Sequence, residues 1–266
     1  MDKLFIIKIG GNIMDDEEKL PSFLKDFVRI KEKKILVHGG GKIATQIGEK
    51  LGIKANYVNG RRITDEKTID LVTMVYGGLT NKKMVAKLQA LNCNAIGVTG
   101  ADANLIPAKK RPVKDIDYGF VGDIDKEKLA SGNVRDHWQL LLNNGLVPVV
   151  ASLTHDGKGQ ILNTNADTIA SVLAVLLSED YYVRLVYCFE KKGVLQNVND
   201  EKSVMHLINK TIYKNLLEDH SVAEGILPKL ENAFAAIDQG VKEVIIGHAD
   251  DLVQNLTAEV RGTLIK

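Results

Sequence analysis

Lys8 follows the apolar run Leu4-Phe5-Ile6-Ile7 and stands one residue short of the pair Gly10-Gly11. A second run, Ile35-Leu36-Val37, ends in His38-Gly39-Gly40-Gly41. Glycines there leave backbone N–H groups uncovered, and successive uncovered N–H groups form anion-binding concavities. A lysine among such donors points to chemistry on phosphate, either holding it or transferring it. Two nucleotide patterns can be weighed. The Walker pattern is absent, because Ile43 follows Gly41-Lys42 where Ser or Thr is required. The relaxed dinucleotide pattern is met by Gly39-x-Gly41-x-x-Ala44, but it calls for an acidic residue about 20 positions on. That place holds the basic turn Asn59-Gly60-Arg61-Arg62. The dinucleotide reading also leaves Lys8, Asp167 and Lys229 without a role, so phosphoryl transfer ranks ahead of NAD binding.

These residues need elements to carry them. Short apolar runs that stop at glycines read as buried strands of a parallel sheet, and open α/β sheets bind ligands at the carboxyl ends of their strands. Strand and helix signals alternate along the whole chain, which predicts a mostly parallel sheet with helices on both faces. Helices are expected over 17–29, 42–51, 65–76 and 79–91, with Ile43, Ile47 and Leu51 as the apolar stripe of the second. Strands are expected over 95–98, 146–150, 183–188 and 244–246. Residues 107–125 read as irregular and basic, with hairpins around Tyr118-Gly119 and Gly122-Asp123. Asp156-Gly157-Lys158-Gly159 reads as a hairpin turn. Asn163-Thr164-Asn165-Ala166-Asp167 opens a helix with the stripe Ala166, Ile169, Ala170, Leu173 and Leu177. Pro228 suits the first turn of a last long helix that ends at Gly240. No linker or repeat interrupts this pattern, so residues 1–266 are expected to form one domain on one continuous sheet.

Composition narrows the partners. A net charge of +1 gives no bulk attraction to nucleic acid or to an anionic membrane. No apolar run is long enough to cross a bilayer, and the interrupted start does not read as a signal peptide. Cys93 and Cys188 are isolated, which fits a reducing cytoplasm. The six histidines lack metal-ligand spacing, so no resident metal site is expected.

Taken in order, Lys8-Ile9-Gly10-Gly11, His38-Gly39-Gly40-Gly41, Asn59-Gly60-Arg61-Arg62-Ile63-Thr64, Asn163-Thr164-Asn165-Ala166-Asp167 and Ile226-Leu227-Pro228-Lys229 resemble the amino acid kinase family, in the branch that acts on N-acylated glutamate. The resemblance covers nearly the whole chain. It implies a three-layer αβα sandwich with an open, mainly parallel central sheet. It also implies an N-terminal half, about 1–164, that binds the acylated amino acid and a C-terminal half, about 165–266, that binds ATP. The implied reaction moves the γ-phosphoryl of ATP, with Mg2+, to the side-chain carboxylate of N-acetyl-L-glutamate. The product is N-acetylglutamyl 5-phosphate, in arginine biosynthesis.

A carboxylate nucleophile has a pKa near 4 and is ionised at neutral pH, so no general base is needed. The task is to bring an anion against a polyanion and to stabilise the charge of the group in transit. The resemblance gives Lys8 and Lys229 that work and gives Asp167 the task of fixing their heads. Arg62 takes the substrate α-carboxylate with Asn163 at the same end, and Gly40 and Gly41 line the acceptor pocket. Gly10, Gly11, Glu190 and Gly193 fall on the nucleotide side. Singly, Asn165 or Asp167 could be helix-capping residues, Lys229 a solvated lysine and Arg62 a surface ion pair. As a set with the glycine loops they favour function.

Two stretches depart from the family pattern. Cys188-Phe189-Glu190-Lys191-Lys192-Gly193-Val194 stands where members carry Ser or Thr followed by Asp. Arg61 replaces a commoner apolar residue. With Lys109-Lys110-Arg111 it suggests an acyl group bearing its own carboxylate, which makes N-succinyl-L-glutamate an alternative substrate. Other members, acting on glutamate, aspartate, carbamate or UMP, and a non-catalytic sensor rank lower. A homodimer that arginine does not inhibit is expected, since arginine-inhibited relatives carry an extra helix before the first strand.

Overall fold

The structure, a computed structural model, describes the chain except for residues 59, 131–132, 198 and 219–225. The chain clusters into two compact units, Met1–Ile35 with Ala170–Lys266, and Leu36–Ile169. The first thirty-five residues therefore pack with the C-terminal segment.

Strand β1 (Lys3–Ile9) buries Leu4, Phe5, Ile6, Ile7 and Ile9. A strand buried on both faces is what an unbroken apolar run requires. A single turn, α1 (Gly11–Met14), follows, then α2 (Lys19–Arg29), which buries Phe23, Leu24 and Phe27. Phe23 and Phe27, one helical turn apart, stack at 6.3 Å. Full burial of each such side chain stabilises by about 1.5–3 kcal/mol. β2 (Lys33–His38) carries the chain into the second unit.

Helix α3 (Gly41–Lys50) starts at the last glycine of the loop. It buries Ala44 and Gly48 most deeply, while Leu51, expected on the apolar stripe, is 58% exposed. The cause is close packing: a Cβ on Gly48 would lie 2.8 Å from the Ile53 carbonyl and 2.8 Å from Leu71, so the helix seats on its small residues. β3 (Tyr57–Val58) and β4 (Arg61–Arg62) pair antiparallel around Gly60, whose φ is +72°. Asn59, named in the motif, lies outside the described residues.

Helix α4 (Glu66–Val72) is capped by Asp65, which accepts from the Thr68 amide at 2.8 Å. Where the sequence predicts two helices parted at Gly77-Gly78, α4 runs through a π-helical stretch (Thr73–Thr80) into α5 (Asn81–Ala90). β5 (Ala95–Val98) follows. β6 (Ala108–Lys110) and β7 (Gly122–Ile124) pair antiparallel within the segment read as irregular. Next come α6 (Lys126–Ala130), α7 (Val134–Asn143) with Trp138 fully buried, and β8 (Val147–Ala151). β8 pairs parallel with β2 and with β5. β9 (Leu153–His155) and β10 (Ile161–Asn163) form the expected hairpin across the turn at 156–159. α8 (Ala166–Leu177) begins in this unit and ends in the first.

The first unit resumes with β11 (Tyr182–Phe189), β12 (Leu207–Ile208), α9 (Lys210–Glu218), α10 (Leu227–Asp238), β13 (Glu243–His248), α11 (Leu252–Asn255) and β14 (Thr263–Ile265). Its strands lie in the order β12-β14-β13-β11-β1. β1 and β13 flank β11 in parallel, while β14 runs antiparallel to β13. α10 buries Leu230, Ala233 and Phe234, and Gly240 beyond it has φ +106°. Each unit is thus α/β on a mainly parallel set of strands, the class expected. Among the described residues no helix is long and apolar enough to cross a membrane.

Candidate active site

In the first unit, Lys8 sits opposite Tyr187 in the β1–β11 register, near the carboxyl ends of both strands. The Gly10 amide donates to the Cys188 carbonyl at 3.1 Å, extending the ladder one step past β1. Gly10 has little room for a side chain, since a Cβ there would stand 3.3 Å from that carbonyl and 3.9 Å from the Phe189 ring. Tyr187 and Phe189 share a strand face and stack at 6.1 Å. Cys188, on the opposite face of the strand, is buried, and burial pushes its thiol pKa up to about 12.

Lys229 lies in the first turn of α10 and is half-buried. Its ammonium stands 3.8 Å from the Phe189 ring centre, and that of Lys8 stands 5.2 Å from the same centre. The sum of these distances, 9.0 Å, is the greatest separation the two nitrogens can have. A cavity of about 340 Å3 is lined by Lys8, Gly10, Gly11, Glu190, Gly193 and Lys229. The six residues assigned from sequence to phosphate and nucleotide in this unit therefore share one pocket, with Phe189 in its wall. Gly193 is held tightly, since a Cβ there would meet the Thr263 hydroxyl at 2.6 Å.

In the second unit, a cavity of about 480 Å3 is lined by Gly40, Gly41, Arg62 and Asn163, the four residues assigned to the acceptor. Arg62 is 7% exposed. Its Nη2 donates to the Gly41 carbonyl at 2.8 Å, to Thr45 Oγ1 at 2.6 Å and to the Tyr57 hydroxyl. The guanidinium also lies 4.8 Å from the Tyr57 ring centre. These contacts fix the plane of a fork suited to a carboxylate. Asn163 Nδ2 donates to Thr64 Oγ1 at 3.1 Å. Arg111 lines the same pocket and donates from Nε to both oxygens of Asp123, at 3.1 and 3.2 Å. Asp123 thereby raises the pKa of Arg111 further. Arg61 also lines this pocket and is exposed.

Asp167 stands in the first turn of α8; its neighbours Ala166 and Thr168 line the second cavity, while Asp167 itself is among the lining residues of neither cavity. Asn165 is a capping residue, its Oδ1 accepting from the Thr168 amide at 3.0 Å. The glycine loop is braced from behind. His38 Nδ1 donates to the Gly39 carbonyl at 2.7 Å, and Asn81 Nδ2 donates to His38 Nε2 at 3.0 Å and to the Val149 carbonyl at 2.9 Å. Burial lowers the His38 pKa to about 4, so the ring is neutral at pH 7 and serves as a strut.

Sequence reasoning missed Tyr57, Tyr76 and Thr45. Tyr76 packs so tightly on Gly40 that a Cβ there would stand 2.5 Å from its ring. The Asn59-Gly60 hairpin signal could have exposed Tyr57, because a two-residue turn pairs Tyr57 with Arg62. Nothing local announces Tyr76, which arrives through a π-helical stretch.

Residues 3–248 match the model of the amino acid kinase family. The chain belongs to the amino acid kinase family. This amino acid kinase is 57% identical over 255 residues to a protein of Cytophaga hutchinsonii named acetylglutamate kinase, covering 96% of this chain and 94% of that one. A Bacteroides thetaiotaomicron protein of the same name is 51% identical over 265 residues, covering 100% and 99%. Among solved structures, a carbamate kinase of Giardia shares the fold at a TM-score of 0.69 and 14% identity, covering 99% of this chain and 98% of that one. N-acetylglutamate synthase of Neisseria gonorrhoeae does so at 0.81 and 20% identity. The chain covers 59% of that longer protein and is itself covered over 99%.

Proposed function

We propose that this amino acid kinase transfers the γ-phosphoryl of ATP to the side-chain carboxylate of N-acetyl-L-glutamate. The product would be N-acetylglutamyl 5-phosphate, on the route to arginine. The observation that carries the proposal is the convergence of the Lys8 and Lys229 ammonium groups on one glycine-lined cavity. The name shared by its relatives supplies the acceptor.

The polyphosphate is assigned to the pocket of Lys8, Gly10, Gly11 and Lys229, with Glu190 and Gly193 toward the nucleoside. The two lysines are placed to stabilise charge on the transferring group and on the leaving β-phosphate. Where no base is required, such fixed charge is the main source of rate acceleration. Mg2+ supplies further neutralisation of the phosphates when bound. We assign the ion to the phosphates of the nucleotide itself. Arg62 and Asn163 bind the α-carboxylate end of the acceptor, beside Gly40 and Gly41. Asp167 orients the lysine heads in the substrate-bound state. We place the enzyme in the cytoplasm and assign it a homodimeric state; sedimentation of the purified chain tests the dimer.

N-succinyl-L-glutamate is the second reading, favoured by Arg61 and Arg111 on the lining of the acceptor pocket. Its weakness is that Asp123 already compensates Arg111. A hydroxamate assay with MgATP and N-acetylglutamate, N-succinylglutamate, glutamate or aspartate decides between them. Turnover of the N-acetyl acid is expected. A strong preference for the N-succinyl acid would replace the acyl group, and turnover of none of the four would overturn the assignment.

A further inference from the structure

The geometry points to Phe189 as a positioning residue: its ring is a platform that holds the Lys8 and Lys229 ammonium groups at the phosphate cavity. The inference rests on the kinase reading and assigns a task to a residue that departs from the family pattern.

Both ammonium groups address the same ring, Lys229 at 3.8 Å and Lys8 at 5.2 Å from its centre. Two like charges within 9.0 Å of each other repel and tend to splay apart. An aromatic ring opposes this through its quadrupole, whose negative face attracts cations. The ring attracts both heads to one surface and so helps to fix where they sit.

The ring is itself well anchored. It closes the β11 strand, stacks on buried Tyr187 and faces the backbone of Gly10. Tyr187 in turn pairs in register with Lys8. Lys8 thus lies one rung before the last pair of the β1–β11 ladder, the Gly10 amide continues that ladder to the Cys188 carbonyl, and Phe189 follows on the same strand. That arrangement holds donors in place before the substrate arrives, the condition under which fixed charge is most effective.

The test replaces Phe189 in the full chain with 4-fluoro-, 3,5-difluoro- and 3,4,5-trifluorophenylalanine, which retain its shape while weakening the quadrupole stepwise. Two cation–ring contacts at partly exposed sites predict a graded fall in kcat/KM for MgATP of about 5- to 30-fold across the series. KM for the acyl amino acid and the melting temperature should stay level. Phe189→Leu should lose at least as much, and Phe189→Tyr should retain most of the activity. Should the acceptor assignment fail, MgADP binding by calorimetry reads the same series without an acceptor. Affinity that falls with fluorination for MgADP but not for adenosine supports the platform. Affinity that is flat for MgADP, or falls equally for adenosine, overturns it.

Discussion

Gly40→Ala isolates one contact in the acceptor pocket. The added methyl would stand 2.5 Å from Cδ1 and 2.9 Å from Cε1 of Tyr76. Those are ring atoms of a side chain that is 5% exposed, so no flexible end can swing away. Tyr76 packs in a cluster with Ala44, Ile69, Val72, Val75, Ala151 and Leu153, and relief by moving the ring must disturb these neighbours. Overpacking of this kind costs about 1–3 kcal/mol. Urea denaturation should record that loss, and KM for the acyl amino acid should rise, because both residues line the pocket. Tyr76→Ala removes the atoms that clash, so the double variant should recover a coupling of about 0.5–3 kcal/mol against additivity. If Gly40→Ala lies within about 0.5 kcal/mol of the parent and the pair is additive, the close packing of Tyr76 on the glycine loop is refuted.

Lys8→Ala should lower kcat by about 10²–10³, the cost of removing one preorganised donor, with the hydroxamate assay as the check. Arg62→Lys keeps the charge but removes the planar fork, and KM for the acyl amino acid should rise by about 10- to 100-fold while KM for ATP stays level. His38 has a folded-state pKa near 4, below its ordinary 6.5, so the unfolded chain takes up this proton first as pH falls. Its contribution is complete above pH 6.5 and drains away between 6.5 and about 4, by about 3 kcal/mol in all. Urea midpoints across that window should show the decline in the parent, and His38→Gln should flatten it.

The parts of the site that were legible in sequence were those whose chemistry is local. Gly10-Gly11 and Gly39-Gly40-Gly41 terminate apolar runs, so strand ends and bare amides could be read directly from residue order. Arg62 stood out because Asn59-Gly60 marks a turn beside it. The roles of Lys229 and Asp167 needed the resemblance, since a first-turn lysine and a first-turn aspartate are common on any helix. Leu51 misled because periodicity counts apolar residues, whereas α3 seats on Ala44 and Gly48, where close backbone approach matters more than side-chain area. The single helical run over 66–90 was hidden because Gly77 and Gly78 read as a break, while Gly77 faces Leu153 with a Cβ position 3.3 Å away. Tyr76 reaches the glycine loop by tertiary packing, which no spacing rule encodes. The short strands β12 and β14 were too brief to give a period.

The two cysteines fall one to each compact unit, Cys188 in the first and Cys93 in the second, and both are buried. A thiol sealed from solvent reacts with a soluble reagent only when the surrounding packing opens. Each unit thus carries its own clock. Mass-resolved labelling of the unaltered chain would time the two openings separately and show whether nucleotide and acyl amino acid each slow one clock or both.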